Sequence, residues 1–327
     1  MGQCAPFKDC TLFCWNRTRS LEKLTITNSQ IVDIADLDCI FLTYDEPKKD
    51  EFWTRVKNMV PWARRVDGIK GSDAAHKAAA EASNTERFIL IDGDNIPDEN
   101  FFNLQLHLDD SNSNKIFRWK ARNEINGLMY GNGGISCWTR DFVRRMRTHE
   151  ATDGRAETEV EFCFDPDYWA MHDCYSVTYP NQTPFQAWRA GFREGVKMCL
   201  DRGRKPSITD FKQRVHNRNL DHLSIWHNVG SDVENGQYAM CGSQLGTYMT
   251  MLSEWDHRDV QDFDCLKDLW KEFQKSQYTD DFLYELAQAL EKQLGLTVSS
   301  LTPSASAFFK HHYRSNWRNT GVMQRDQ

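Results

Sequence analysis

The feature that most constrains this chain is the alternation of apolar segments between Cys39 and Asp94. Cys39-Ile40-Phe41-Leu42-Thr43 is a short, β-rich apolar run stopped by Tyr44-Asp45-Glu46-Pro47, which predicts a buried strand and a turn. Asp50 to Met59 puts Phe52, Val56 and Met59 on one helical face, with Pro61 just past its end. A second strand is expected over Ala63 to Val66. Ser72 then reads as the N-cap of a helix in which Ala74, Ala75, Ala78, Ala79 and Ala82 recur at helical spacing. Side chains this small let a helix lie close on a flat surface, here the sheet. Arg87 to Ile91 is the third strand, and Asp92-Gly93-Asp94 follows at its C-terminal end. Strand, helix, strand, helix, strand within about fifty residues is one half of a doubly wound α/β fold, which binds ligands where its parallel strands end. Both acidic turns, Asp45-Glu46 and Asp92-Gly93-Asp94, fall at those ends.

Downstream the pattern is mixed. Ile116 to Trp119 reads as a strand, Tyr130 to Gly134 as a loop entering an Ile135 to Trp138 strand, and Asp141 to Thr148 as a helix. Residues 184 to 200 form a helix with Phe185, Trp188, Phe192 and Val196 roughly in register. From about residue 255 the chain is helical, with Phe282, Leu286, Leu290 and Leu294 stacked and Gly295 as C-cap. The polar tail from Thr297 reads as loosely structured. Before Cys39 the pattern is weak; Thr11 to Trp15 and Ile31 to Ile34 are candidates for short strands or peripheral packing.

Two carboxylates one residue apart at a strand end, with Gly between them, suit a divalent cation that carries a nucleotide diphosphate. Mg²⁺ and Mn²⁺ prefer oxygen ligands and take one or two carboxylates plus substrate phosphates. Rival α/β chemistries fit less well. No Gly-x-x-x-x-Gly-Lys-Ser/Thr loop is present and no Gly-x-Gly-x-x-Gly follows the first strand. Asp45 stands where a haloacid-type phosphatase keeps its nucleophile, without the surroundings that chemistry needs. Lys70 and His76 flank the start of the Ala-rich helix, and a Lys beside a helix N-terminus favours anions. A solvated Lys and a surface His explain the same residues. Asn132-Gly133-Gly134 lets a sugar or acceptor approach the backbone, or is a plain tight turn. Arg189 and Arg193 lie four apart on one helix face, next to Glu194, and suit either phosphate or surface ion pairs. His227 and Asp232 adjoin a Gly-rich loop.

Composition excludes several classes. Of 327 residues, 40% are hydrophobic and 27% charged, the balance of an ordinary globular chain. A net charge of −7 argues against coating nucleic acid by bulk electrostatics, though not against a local basic groove. No apolar stretch approaches the ~18 residues of a membrane span, and the first residues lack a signal-peptide core or a myristoylation signal. The ten cysteines include no Cys-x-x-Cys pair; only Cys10 and Cys14 approach ligand spacing, so reduced thiols in a cytoplasmic protein are expected.

Taken in order, Phe41 to Pro47, Arg65 to Gly71, Ala75 to Ala80, Asp92-Gly93-Asp94-Asn95, Tyr130 to Gly134, Pro184 to Glu194 and Gly230 to Gly236 resemble the TET-associated glycosyltransferase family. These are GT-A fold enzymes of bacteriophages, related to the base J glucosyltransferase of kinetoplastids. The resemblance covers roughly residues 37 to 250. It implies a GT-A-like, Rossmann-like mixed sheet flanked by helices, with a catalytic domain over 1–250 and a helical C-terminal extension over 251–327. Residues 37–140 would be the nucleotide-sugar half and 141–250 the acceptor half. The implied reaction moves glucose or a pentose such as arabinose from a UDP-sugar to 5-hydroxymethylcytosine in double-stranded DNA, with Mn²⁺ or Mg²⁺, in the host cytoplasm.

On that pattern Thr43, Tyr44 and Asp45 line the nucleoside pocket, with Thr43 standing where the family more often has Ser. Asp92 approaches the ribose or the metal, Asp94 binds the metal and Lys70 faces the diphosphate. His76, Asn132, Gly133, Gly134, Arg189 and Arg193 complete the expected donor side. An inverting enzyme needs a base for the acceptor proton, and Asp153, Glu194 and Asp232 are the contenders; a retaining one needs none. A DNA acceptor asks for phosphate contacts from Arg144-Arg145-Met146-Arg147, Arg202-Gly203-Arg204-Lys205, Arg214, Arg218 or the basic tail, and for a target base drawn out of the stack. Two other readings stay open: a glycosyltransferase acting on a glycan, lipid carrier or protein, and a non-catalytic nucleotide-sugar-binding module.

Overall fold

A computed structural model describes residues 29–146, 167–275 and 280–313. Asp153, Thr11 to Trp15, Cys10, Cys14, Arg147 and the tail beyond Tyr313 lie outside the described residues. In chain order the elements are β1 (Gln30–Asp33), β2 (Asp38–Thr43), α1 (Lys49–Met59), β3 (Arg64–Asp67), α2 (Ser72–Ala82), β4 (Arg87–Asp92), β5 (Asn95–Pro97) and β6 (Gln105–Leu108). They continue with β7 (Ile116–Asn123), β8 (Met129–Thr139), α3 (Arg140–Arg145), β9 (Tyr168–Thr178), α4 (Pro184–Met198), α5 (Phe211–Arg214), α6 (Asn217–Asn228) and α7 (Gly236–Leu252). The last three α-helices among the described residues are α8 (Phe263–Lys275), α9 (Asp280–Ala289) and α10 (Pro303–His312).

The architecture is a curled, mixed sheet flanked by helices, compatible with a Rossmann-like fold. Seven strands run in the order β3-β2-β4-β8-β7-β9-β5, and β1 pairs with β6 in a separate ribbon. β3, β2 and β4 are parallel, with Leu42 opposite both Val66 and Asp92. β8 then enters antiparallel to β4. Because side chains alternate along a strand, Phe41, Ile89, Ile91 and Ile135 face α1 through Phe52 and Val56. Ile40, Phe88, Leu90 and Trp138 face α2 and α3 through Ala79, Ala80 and Phe142. Covering both faces explains why β2 and β4 read as unbroken apolar runs.

The helical half is organised by the crossing of α4 and α7. Gly191 and Gly195 on α4 face the backbone of Ala239 and Ser243, and Gly242 and Gly246 on α7 face that of Trp188 and Phe192. A Cβ at Gly195 would stand 2.2 Å from the Ser243 carbonyl oxygen, so the two helices touch backbone to backbone. Trp188, Phe192 and Val196 then fill a cluster with Leu266 and Phe273 of α8.

Three local expectations are corrected. Tyr130 to Gly134 belong to β8 and not to a loop, because the ladder with β7 resumes at Ala121 and Tyr130 after an irregularity beyond Trp119. Gly71, with φ 91°, occupies the N-cap position of α2, and Ser72 is its first helical residue. The segment after Thr297 is not loose throughout: Thr302 caps α10 by accepting from the Ala305 amide, and Pro303 sits in its first turn. No helix among the described residues is long and apolar enough to cross a membrane.

Candidate functional site

The C-terminal ends of β2 and β4 carry the two acidic turns side by side. The β2 end is fixed from within: Thr43, 2% exposed, donates its hydroxyl to Asp67 Oδ1 at 2.8 Å and accepts from Arg65 Nε at 2.9 Å. Lys49 Nζ ties Asp67 to the Tyr44 carbonyl, at 2.8 Å from each. The Thr43 hydroxyl is therefore spent on holding β2 to β3. Beyond it the chain emerges, with Tyr44 44% exposed and Asp45 exposed. Glu46 turns back, and its Oε2 accepts from the Tyr44 amide at 2.8 Å.

That turn puts Glu46 against Asp92-Gly93-Asp94. A Cβ on Gly93 would meet the Glu46 carboxylate at 2.9 Å and the Thr43 methyl at 2.8 Å, so a residue without a side chain is what lets the two turns close up. Three carboxylates thus gather, and their electrostatics record it. Burial, opposed by Arg118 and reinforced by Glu46, pushes Asp92 up to about 6. Burial together with Asp92 and Glu46 pushes Asp94 up to about 7, with Arg189 pulling the other way. Motif reading placed Glu46 in an acidic turn at a strand end but gave it no role in the site. Arg118 was also missed, although a charge inside the apolar run Ile116 to Trp119 marks a side chain with a specific partner.

The floor beneath Asp94 is Asn95. It is fully buried, and neither its Oδ1 nor its Nδ2 has a hydrogen-bond partner in the protein. Gly134 lies directly over it, where a Cβ would come within 2.7 Å of the Asn95 amide nitrogen. The β4–β8 register, with Ile91 opposite Ile135, carries Asn132-Gly133-Gly134 past the end of β4 beside the acidic motif.

α4 supplies the opposite charge. Arg189 is held between the rings of Phe185 and Phe263, at 5.3 and 5.2 Å, and Arg193 lies 5.2 Å from the same Phe263 ring. Neither guanidinium has an ion-pair or hydrogen-bond partner among the described residues, and Arg193 Nε is buried without one. Burial and the neighbouring Arg193 hold Arg189 below its usual range, while Asp45, Asp94 and Glu46 act to raise it. Cations and carboxylates therefore sense each other across a gap without bonding. Phe263 begins α8, in the extension that motif reading could not place. The same helix brings Asp264 within the field of Lys70, and Lys267 within that of Tyr44 and Asp45.

Other expected residues lie apart from this centre or are engaged elsewhere. Lys70 is exposed on the loop before α2. His76 Nδ1 pairs with the Ser72 carbonyl oxygen at 2.8 Å, and its ring meets Trp138 edge-on. Glu194 accepts from Tyr130 Oη at 2.5 Å and pairs with Lys197 at 2.7 Å; Trp226 Nε1 donates to the same tyrosine oxygen at 2.8 Å. Both Glu194 oxygens are thus occupied. Asp232 pairs with Lys310 of α10 at 2.7 Å, a contact that docks the C-terminal helix. His227 is fully buried against Thr247 at 3.0 Å. Among the described residues, no three His, Cys, Asp or Glu side chains form a ready-made metal cage. Comparison with known proteins adds no relative: no family model, no curated protein and no solved structure matches the chain.

Proposed function

We propose that the chain is a metal-dependent glycosyltransferase of GT-A type that uses a UDP-sugar and glycosylates a hydroxymethylated pyrimidine in DNA. The observation that carries the donor half is the gap at the strand ends. Asp92, Asp94 and Glu46 stand on one side of it, and Arg189 and Arg193, both without anionic partners, on the other. A divalent cation bound to the carboxylates and a diphosphate bridging it to the arginines would satisfy both sides. The donor set fits such an ion: it is all oxygen, as Mg²⁺ and Mn²⁺ prefer. Burial raises Asp92 and Asp94, with repulsion among the carboxylates adding to it, and a bound cation would favour their charged forms.

Asp94 and Asp92 would hold the ion, which when bound offsets charge developing on the departing diphosphate. Arg189 and Arg193 would grip the phosphate oxygens from the other side, their planes fixed by Phe263. Tyr44, exposed at the end of β2, offers a ring face to the nucleobase. The sugar would lie beside the motif, where the Gly133-Gly134 backbone runs past the end of β4.

The DNA acceptor rests on the ordered resemblance to the TET-associated family. Several basic residues named for it are used internally, Arg145 by Asp167 and Arg214 by Asp201. Arg144 and Arg202 remain exposed without ion pairs among the described residues. The donor half is tested by following UDP release from a panel of UDP-sugars with and without Mn²⁺. Release that needs the ion and is lost in Asp94→Ala and Arg189→Gln is the expected outcome. A chain that binds UDP-sugars without consuming them would be a binding module instead.

A further inference from the structure

We infer that the protein has a second anion site, separate from the acidic motif, in a cavity between α1, β9 and α10 that takes a phosphate-bearing ligand of about mononucleotide size. The cavity holds about 430 Å³, within the range of small-molecule sites (about 300–1,000 Å³). Arg55 of α1 and Arg122 of β7 both line it. Neither guanidinium has an ion-pair or hydrogen-bond partner among the described residues; Arg55 makes only a ring contact, 5.9 Å from Phe52. Arginine's fixed fork of donors matches phosphate oxygens, and two such groups on one cavity favour a dianion over a neutral solute.

Independent support comes from the cavity wall. Ser176 of β9 is 5% exposed, and its Oγ is buried with no hydrogen-bond partner. A buried hydroxyl left unpaired is uncommon in a folded protein and calls for a ligand or water. Tyr175 and Tyr179 add ring surface to the same wall. The lining carries one carboxylate, Asp98, and its Oδ1 already accepts from the backbone and side chain of Asn100 at 2.8 Å each. Lys310 also reaches the cavity but is neutralised by Asp232. With Lys310 offset by Asp232, the two arginines outweigh Asp98 and leave this part of the lining net positive.

The bound group is a phosphate monoester or diester, and it can come from a free mononucleotide or from a nucleic-acid strand. The test is calorimetric titration of the full-length protein with inorganic phosphate, with CMP and with a short single-stranded oligonucleotide. These are repeated on Arg122→Gln, Arg55→Gln, Ser176→Ala and Asp94→Asn. We expect CMP to bind, each arginine variant to weaken it at least tenfold, Ser176→Ala to weaken it less, and Asp94→Asn to leave it unchanged. Tighter binding of CMP than of the oligonucleotide identifies a free ligand, and the reverse order a strand. Both arginines are exposed, so unchanged melting curves of their variants separate lost binding from lost folding. Absence of CMP, phosphate and oligonucleotide binding, or binding that survives both arginine changes, overturns the inference. So does binding that Asp94→Asn abolishes while Arg122→Gln does not, since the ligand would then sit at the acidic motif.

Discussion

At the scale of single residues, the site is built at the expense of stability. Asp94 is raised to about 7 by burial and by Asp92 and Glu46. A carboxyl whose folded value lies above its unfolded value binds its proton more tightly in the folded state. No penalty exists below the unfolded pKa; it grows as pH rises toward 7 and then stays constant. Asp94→Asn is therefore expected to stabilise the metal-free protein by about 1–2 kcal/mol at pH 8 and by almost nothing at pH 4. Thermal melts at the two pH values check this. Adding Mn²⁺ is expected to raise the melting temperature of the natural protein and not that of Asp94→Asn. A variant less stable at pH 8 would mean that Asp94 is a structural anchor. Asp92-Gly93-Asp94 was legible in the sequence because a strand-end acidic pair has a recognisable local form. Glu46 and Asn95 were not, since their parts depend on how closely two turns approach across the sheet.

At the scale of elements, α4 joins the site to the helical half. Its one face carries Arg189 and Arg193, and its other face packs through Gly191 and Gly195 onto α7. Gly195→Ala forces its new methyl into the Ser243 carbonyl, and an overpacked contact of this kind costs about 1–3 kcal/mol. Denaturant unfolding measures it; a cost near zero would show that the helices can separate freely. On the far side, Phe263 of α8 holds both guanidinium planes. Phe263→Ala should raise the KM for the UDP-sugar several-fold with little change in kcat, and Phe263→Tyr should restore it. An unchanged KM would remove α8 from the site. The apolar runs and helical spacing of residues 39–91 announced β2, α1, β3, α2 and β4, because strands covered on both faces and helices buried on one leave a local mark in the sequence. The continuation of β8 through Gly131 to Gly134 was hidden, since glycines read as a turn until a partner strand supplies hydrogen bonds. The pairing of α8 with α4 was hidden for a similar reason: it joins segments about seventy residues apart by aromatic packing with no short motif.

At the scale of the whole molecule, the mixed sheet and the helical half each contain buried groups that set the response to pH. Burial, assisted by Arg218, pushes His222 down to about 4, and burial pushes His227 down to about 3. In the unfolded chain both titrate near the ordinary value of 6.5. Between about pH 6.5 and 4 the unfolded state therefore takes up protons that the folded state refuses. Stability should fall with falling pH across that window, by up to about 1.4 kcal/mol per pH unit for each histidine, and be flat above it. Asp92 and Asp94 act in the opposite sense, so the profile is best measured in an Asp92→Asn, Asp94→Asn background. A flat profile there would mean that the histidines are not buried as described.

The central claim, that the gap between the acidic turns and α4 receives a metal and a nucleotide-sugar for transfer to DNA, has one direct test. The protein is incubated with DNA containing 5-hydroxymethylcytosine, a panel of UDP-sugars and Mn²⁺ or Mg²⁺, and the digested nucleosides are weighed by mass spectrometry. The account predicts a hexose or pentose mass on the modified base, absent without metal and absent in Asp94→Ala. Unmodified nucleosides with every donor, in reactions where no UDP-sugar is consumed, would contradict it.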